Sequence, residues 1–110
     1  MTTYMLLYRA PSSAIEQMAG ATPEQAQAGM DAWMRWAEKA GDHIVDLGAP
    51  LGESTTVGAQ AQVDGDFIAG YSLLQAGSVD EVKSLLDIHP HLQMDGASIQ
   101  VLEVLTMPGT

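Results

Sequence analysis

The chain has 110 residues, 46% of them hydrophobic, with 14 Asp and Glu against 4 Lys and Arg, no cysteine and a formal charge of −10. That length suits one domain burying roughly two thirds of the surface its unfolded chain exposes, and the apolar share is too high for intrinsic disorder. The acidic balance repels phosphate backbones and anionic membranes, so no nucleic-acid or membrane partner is expected; the lack of cysteine excludes disulfides, thiol catalysis and thiolate zinc sites.

Tyr4-Met5-Leu6-Leu7-Tyr8 is a continuous apolar run of strand length. Alternation puts Tyr4, Leu6 and Tyr8 on one face and Met5, Leu7 and Arg9 on the other. Neither reads as a water face, which predicts a strand covered on both sides. The run is too short for a signal sequence and no basic segment precedes it. No apolar stretch approaches the ~20 residues that span a bilayer, and a soluble cytoplasmic protein is the expectation. Ser13 to Met18 has the makings of a helical turn. Thr22-Pro23-Glu24-Gln25 then reads as a helix start, with Thr22 as N-cap, Pro23 in the first turn and Gln25 closing a capping box. Ala26, Met30, Trp33, Met34, Ala37 and Ala40 follow helical spacing as the core stripe, and Gly41 stops the helix. Trp36 lies off that stripe, as a second contact surface or as a partly exposed ring.

His43 to Leu51 predicts a short strand running into a Gly/Pro break, and Ser54 to Val63 alternates like a half-exposed strand. Asp64-Gly65 is a turn signal before the apolar run Phe67 to Ala76, where Gly70 marks a bulge or a close neighbour. Ser78 and Glu81 form a second capping-box pattern, opening a helix through Val82, Leu85 and Leu86. Asp87-Ile88-His89-Pro90-His91 turns the chain out of that helix, since proline disfavours helical geometry before it. Ser98 to Leu105 is the last strand and Met107 to Thr110 a tail. The order strand, helix, strand, strand, helix, strand predicts a ferredoxin-like β-α-β-β-α-β α+β sandwich over residues 1–110, with an antiparallel sheet. Strands apolar on both faces predict a homodimer that covers the bare side of the sheet.

Four pieces carry a family resemblance: Tyr4 to Tyr8; Trp36 to Gly41 leading to Gly48-Ala49-Pro50-Leu51; Asp64-Gly65-Asp66-Phe67 with Gly70-Tyr71; and His89-Pro90-His91 leading into Ile99 to Val104. In order and spacing the chain resembles the YCII-related (DGPF) family of dimeric α+β-barrel proteins. The resemblance implies a ferredoxin-like fold whose two copies enclose a pocket. One branch of that family is associated with a His–Asp pair whose histidine lies at or before the first helix. This chain has no histidine before His43, and Asp66 stands where the signature has proline.

Three histidines and a few strand acids are the candidates for chemistry. His89 and His91, two apart in an extended segment, would point their rings the same way, which suits a metal, an acid–base role beside Asp87 or Asp46, or simple capping of the preceding helix. His43 reads as a hydrogen-bonded edge residue. Asp46, between Val45 and Leu47, either faces water or enters a pocket. Glu103 is expected to pair with Arg9 across adjacent strands. Tyr4, Tyr8 and Tyr71 line a cavity or fill the core. Phosphate-loop and nucleophile-elbow motifs are absent, and no cofactor is expected. The reading is a small organic ligand in an apolar pocket, with His89, His91 and Asp46 as candidate catalytic residues for isomerase- or lyase-type proton transfer. The competing class is a non-catalytic ligand-binding or interaction domain.

Overall fold

The computed structural model describes residues 1–59 and 65–107. Strands β1 (Thr2–Ala10), β2 (Ile44–Pro50), β3 (Phe67–Ala76) and β4 (Ser98–Glu103) form one sheet in the order β2-β3-β1-β4, with every neighbouring pair antiparallel. Helices α1 (Ala14–Ala19) and α2 (Pro23–Ala40) join β1 to β2, and α3 (Val79–Leu86) joins β3 to β4. This is the expected ferredoxin-like α+β arrangement, with the two β-α-β units interleaved in one sheet.

The helices begin where their hydrogen-bonding side chains direct. The Thr22 hydroxyl accepts from the Gln25 amide, and the Gln25 side-chain oxygen accepts from the Thr22 amide, so two otherwise free donors at the start of α2 are satisfied reciprocally. At α3 the Ser78 hydroxyl accepts from the Glu81 amide, but the Glu81 carboxylate reaches one residue further back, to the Gly77 amide. That carboxylate also lies in the first turn of the helix, where negative charge is favoured.

Alternation along β1 is as expected. Tyr4, Leu6, Tyr8 and Ala10 are buried while Met5, Leu7 and Arg9 are only half-buried. The buried set joins Leu74 and Ala76 of β3, Trp36 and Ala40 of α2, and Val82 and Leu86 of α3 in one core. A buried polar thread crosses it: the Tyr8 hydroxyl donates to Ser72 at 2.7 Å, and Ser72 donates to the Leu47 carbonyl at 2.6 Å. Burial pushes the Tyr8 phenol up to about 12, against the opposing pull of the Ser72 hydrogen bond, so it stays a neutral donor. Gly70 meets both expectations. The β1–β3 register slips between Tyr8 and Arg9 beside it, and an added Cβ would lie 3.1 Å from the Ala49 carbonyl and 3.3 Å from the Tyr8 ring.

Five expectations are corrected. Residues 54–59 form no strand and are exposed; their small side chains have little surface to bury, and β2 pairs directly with β3 instead. The rest of that stretch, 60–64, including Asp64 of the turn signal, lies outside the described residues, as do residues 108–110 of the tail. Trp36 is no outlier: it is 1% exposed, and its indole N–H donates to the Leu85 carbonyl at 2.8 Å. Met30 and Met34 of the expected stripe are 59% and 53% exposed: every residue from Pro23 to Asp31 is exposed, which leaves Met30 on the unseated half of α2, while Met34 lies on the seated half but away from the side that buries Trp36 and Ala40. Arg9 does not pair with Glu103. The register sets Ser98 opposite Arg9 and Glu103 opposite Tyr4, so the two side chains belong to opposite faces of the sheet. Finally, among the described residues, one chain covers its sheet on one side alone. The core helices pack on the Tyr4–Leu6–Tyr8 face, while Met5, Leu7, Tyr71 and Leu73 on the other face are half-buried and Leu102 is exposed.

Candidate functional site

The residues singled out from the sequence are divided between the two sides of the sheet. Under the helical layer, the turn after α3 begins with His89, whose extended backbone leads into the 3-10 turn Pro90–Gln93. The Nδ1 atom of His89 accepts the His91 amide at 3.0 Å. Its proton therefore resides on Nε2, which is buried without a hydrogen-bond partner among the described residues. The ring lies among Trp36 at 4.3 Å, Trp33 at 4.6 Å and edge-on, and Tyr8 at 5.0 Å between centroids. Burial in this aromatic nest, with a smaller contribution from the neighbouring His91, lowers the His89 pKa from 6.5 to about 3, so the ring is neutral across the ordinary pH range.

His91 is also buried. Its Nε2 lies 2.8 Å from the Arg9 carbonyl, and since a carbonyl only accepts, that nitrogen carries the proton. The segment is a turn rather than extended, and the two rings share Tyr8 as a neighbour, at 5.0 and 5.2 Å. Both histidines thus fasten the exit of α3 to β1 and α2, and neither ring is presented on an open surface. His43 is the hydrogen-bonded edge residue expected: its Nδ1 is 2.9 Å from the Gln75 carbonyl and 3.6 Å from the Glu81 carboxylate. Beside the corner, Ala32, Arg35, Trp36, Ile88, Pro90 and Gln93 line a cleft of about 270 Å³. Among the described residues no three carboxylate or imidazole groups converge as a metal site requires.

Asp46 lies on the other side, on the uncovered face. The β2–β3 register is irregular on both sides of it, between Ile44 and Asp46 and again between Asp46 and Ala49, and such bulges re-aim side chains. One Asp46 oxygen accepts the Gly48 amide at 2.9 Å, and the other lies 3.4 Å from the Tyr71 hydroxyl, which donates. Gly48 has φ +84, and a Cβ there would fall 1.7 Å from the Tyr71 carbonyl oxygen; only glycine permits this approach. The carboxylate is therefore held by a local turn on itself and by a phenol from the next strand. It is exposed in the single chain.

At another place on the same face, Arg9 donates from Nε to the Gln100 side-chain oxygen at 2.8 Å and from Nη1 to both Asp66 oxygens at 3.0 and 3.1 Å. Asp66 entered the sequence reading as the residue standing where the signature has proline, and this cluster was missed. The signal available was that Arg9 alternates with Tyr8, which places a cation on an otherwise apolar strand face. The Asp46–Gly48 turn had a signal too, since an Asp two residues before a Gly is a common self-bonding turn pattern. The structure brings Asp46 together with Tyr71, and His89 with His91, but the histidines and Asp46 occupy opposite faces.

No protein family matches the chain, and no curated protein matches it. Among solved structures it is similar to the 5-chloro-2-hydroxyhydroquinone dehydrochlorinase (TftG) from Burkholderia phenoliruptrix AC1100, in complex with 2,5-dihydroxybenzoquinone. The two share 19% identity over 91% of each chain, with a TM-score of 0.48. At that distance the likeness assigns no residue and no reaction to this chain. Among the described residues no helix is long and apolar enough to cross a membrane.

Proposed function

We propose that this is a YCII-like protein that binds a small organic molecule against the uncovered face of its sheet. A second copy of the chain closes over that face and completes a dimeric α+β barrel. Asp46 is the group we assign to proton transfer, of the kind used in isomerisation or elimination, while His89 and His91 hold the corner on the far side. The observation that carries the reading is the composition of this face. Met5, Leu7, Tyr71, Leu73 and Leu102 supply an apolar floor, and beside it stands a carboxylate fixed by a backbone amide and a phenol. Apolar walls with a few placed polar groups are what small-molecule sites are made of. A carboxylate that accepts a proton while a neighbouring hydroxyl donates one suits general acid–base chemistry.

Asp46→Asn separates this from a purely binding role. With a screened ligand in hand, the variant is expected to keep binding and to lose turnover by roughly a hundredfold or more. Turnover unchanged in Asp46→Asn would remove the carboxylate from the chemistry. A molecular mass in solution equal to one chain at all concentrations would remove the enclosed pocket.

A further inference from the structure

The uncovered face carries one cation. The other basic side chains, Arg35, Lys39 and Lys83, belong to α2 and α3. In a chain of charge −10, a guanidinium on a mostly apolar strand face calls for a reason beyond solubility. Its hydrogen bonds are unevenly used. Nε is taken by Gln100, which orients the plane of the group, while Nη1 alone spans both Asp66 oxygens and Nη2 bonds to no described residue. The strongest arginine–carboxylate geometry sets two nitrogens against two oxygens. The pair with Asp66 falls short of that fork, and Asp66 is itself exposed, at the entry to β3.

We infer that Arg9 is a specificity-determining residue that anchors the anionic group of a small organic acid, with Asp66 holding the guanidinium in place until the ligand's carboxylate takes the fork. The inference rests on the reading of the uncovered face as a ligand site, and deepens it by naming the charge class of the ligand. Gln100 keeps the guanidinium plane fixed in both states. Leu7, Tyr71 and Leu73 lie on the face between Arg9 and Asp46, which the strand register separates by roughly 15 to 20 Å between Cα atoms. The acid's apolar body rests on that floor, with its charge at the Arg9 end.

The test uses benzoate and its neutral counterpart benzyl alcohol as probes, followed by the methyl resonances of Leu7 and Leu73 in the full-length protein. Benzoate is expected to shift these signals saturably and to bind at least tenfold more tightly than benzyl alcohol. Arg9→Gln should abolish that preference and Arg9→Lys should restore part of it. Asp66→Asn should tighten benzoate severalfold by removing the competitor, a gain that a merely structural ion pair would not give. Weaker benzoate binding in Asp66→Asn, or an unchanged preference in Arg9→Gln, overturns the role of Arg9. If both probes shift the Leu7 and Leu73 signals equally and Arg9→Gln changes nothing, the anion anchor fails while the ligand face survives. If neither probe shifts them, both readings fall.

Discussion

The two sides of the sheet use similar apolar side chains toward different ends. On the covered side, the rings of Tyr8, Trp33 and Trp36 close around His89, and among the described residues the His89 Nε2 is the only fully buried side-chain nitrogen or oxygen left without a hydrogen-bond partner. On the uncovered side, the side chains of Leu7, Tyr71 and Leu73 are only half-buried, and the charged groups near them, Asp46 and Arg9, retain exposed or unspent hydrogen-bonding atoms. Nearly complete polar satisfaction marks a side that holds the fold, while spare donors and acceptors beside apolar surface mark one that can receive something. The contrast also explains why histidine, the usual first guess for proton transfer, is assigned a structural part here. A ring kept neutral by burial has lost the titration that makes it useful.

The contrast is broken most directly at Trp36. Trp36→Ala on the covered side is expected to cost about 3 to 5 kcal/mol, through the cavity left and the lost bond to the Leu85 carbonyl. A urea denaturation midpoint near that of the wild type would show that this side is not the core. His89 sharpens the same point through pH. The unfolded chain protonates it near 6.5, whereas the folded protein resists down to about 3. Its contribution to stability is thus whole above pH 6.5 and is lost progressively as the pH falls toward 3, at a slope of up to about 1.4 kcal/mol per pH unit. His89→Phe should be less stable at neutral pH, having lost the acceptor for the His91 amide, yet show a flatter decline in that window. Equal slopes in urea titrations of the two proteins would contradict a neutral buried imidazole. The smallest effect belongs to the uncovered side. Leu7→Ser should change the stability of the dilute chain by less than about 1 kcal/mol, while weakening self-association in sedimentation experiments. A large loss of monomer stability would mean that Leu7 is packed within its own chain.

Much of the architecture was legible because it depends on local rules. The alternation of Tyr4 through Arg9 fixed which residues share a face, and the Thr22 and Ser78 caps located two helix starts to the residue. The stripe of α2 was misread for a geometric reason. Helical spacing shows which residues are aligned but neither how far the helix extends past the sheet nor which side of it meets the core; Met30 lies on the unseated half, and Met34 lies on the seated half but away from the side that buries Trp36 and Ala40. The turn at His89-Pro90-His91 was visible in proline chemistry. Its burial was not, because the rings that enclose His89 come from residues more than fifty positions earlier in the chain. The same holds for Arg9, whose partners Asp66 and Gln100 are set by strand register rather than by neighbourhood in the sequence.

The placement of the tryptophans has a practical consequence. The chain has only two, and both stand against the same imidazole. Its intrinsic fluorescence is therefore a gauge of one corner and is blind to the opposite surface, where Tyr71 is the nearest natural chromophore. Melting and occupancy leave separate optical traces, so a titration that leaves the indole emission unmoved is silent about ligand and informative about packing.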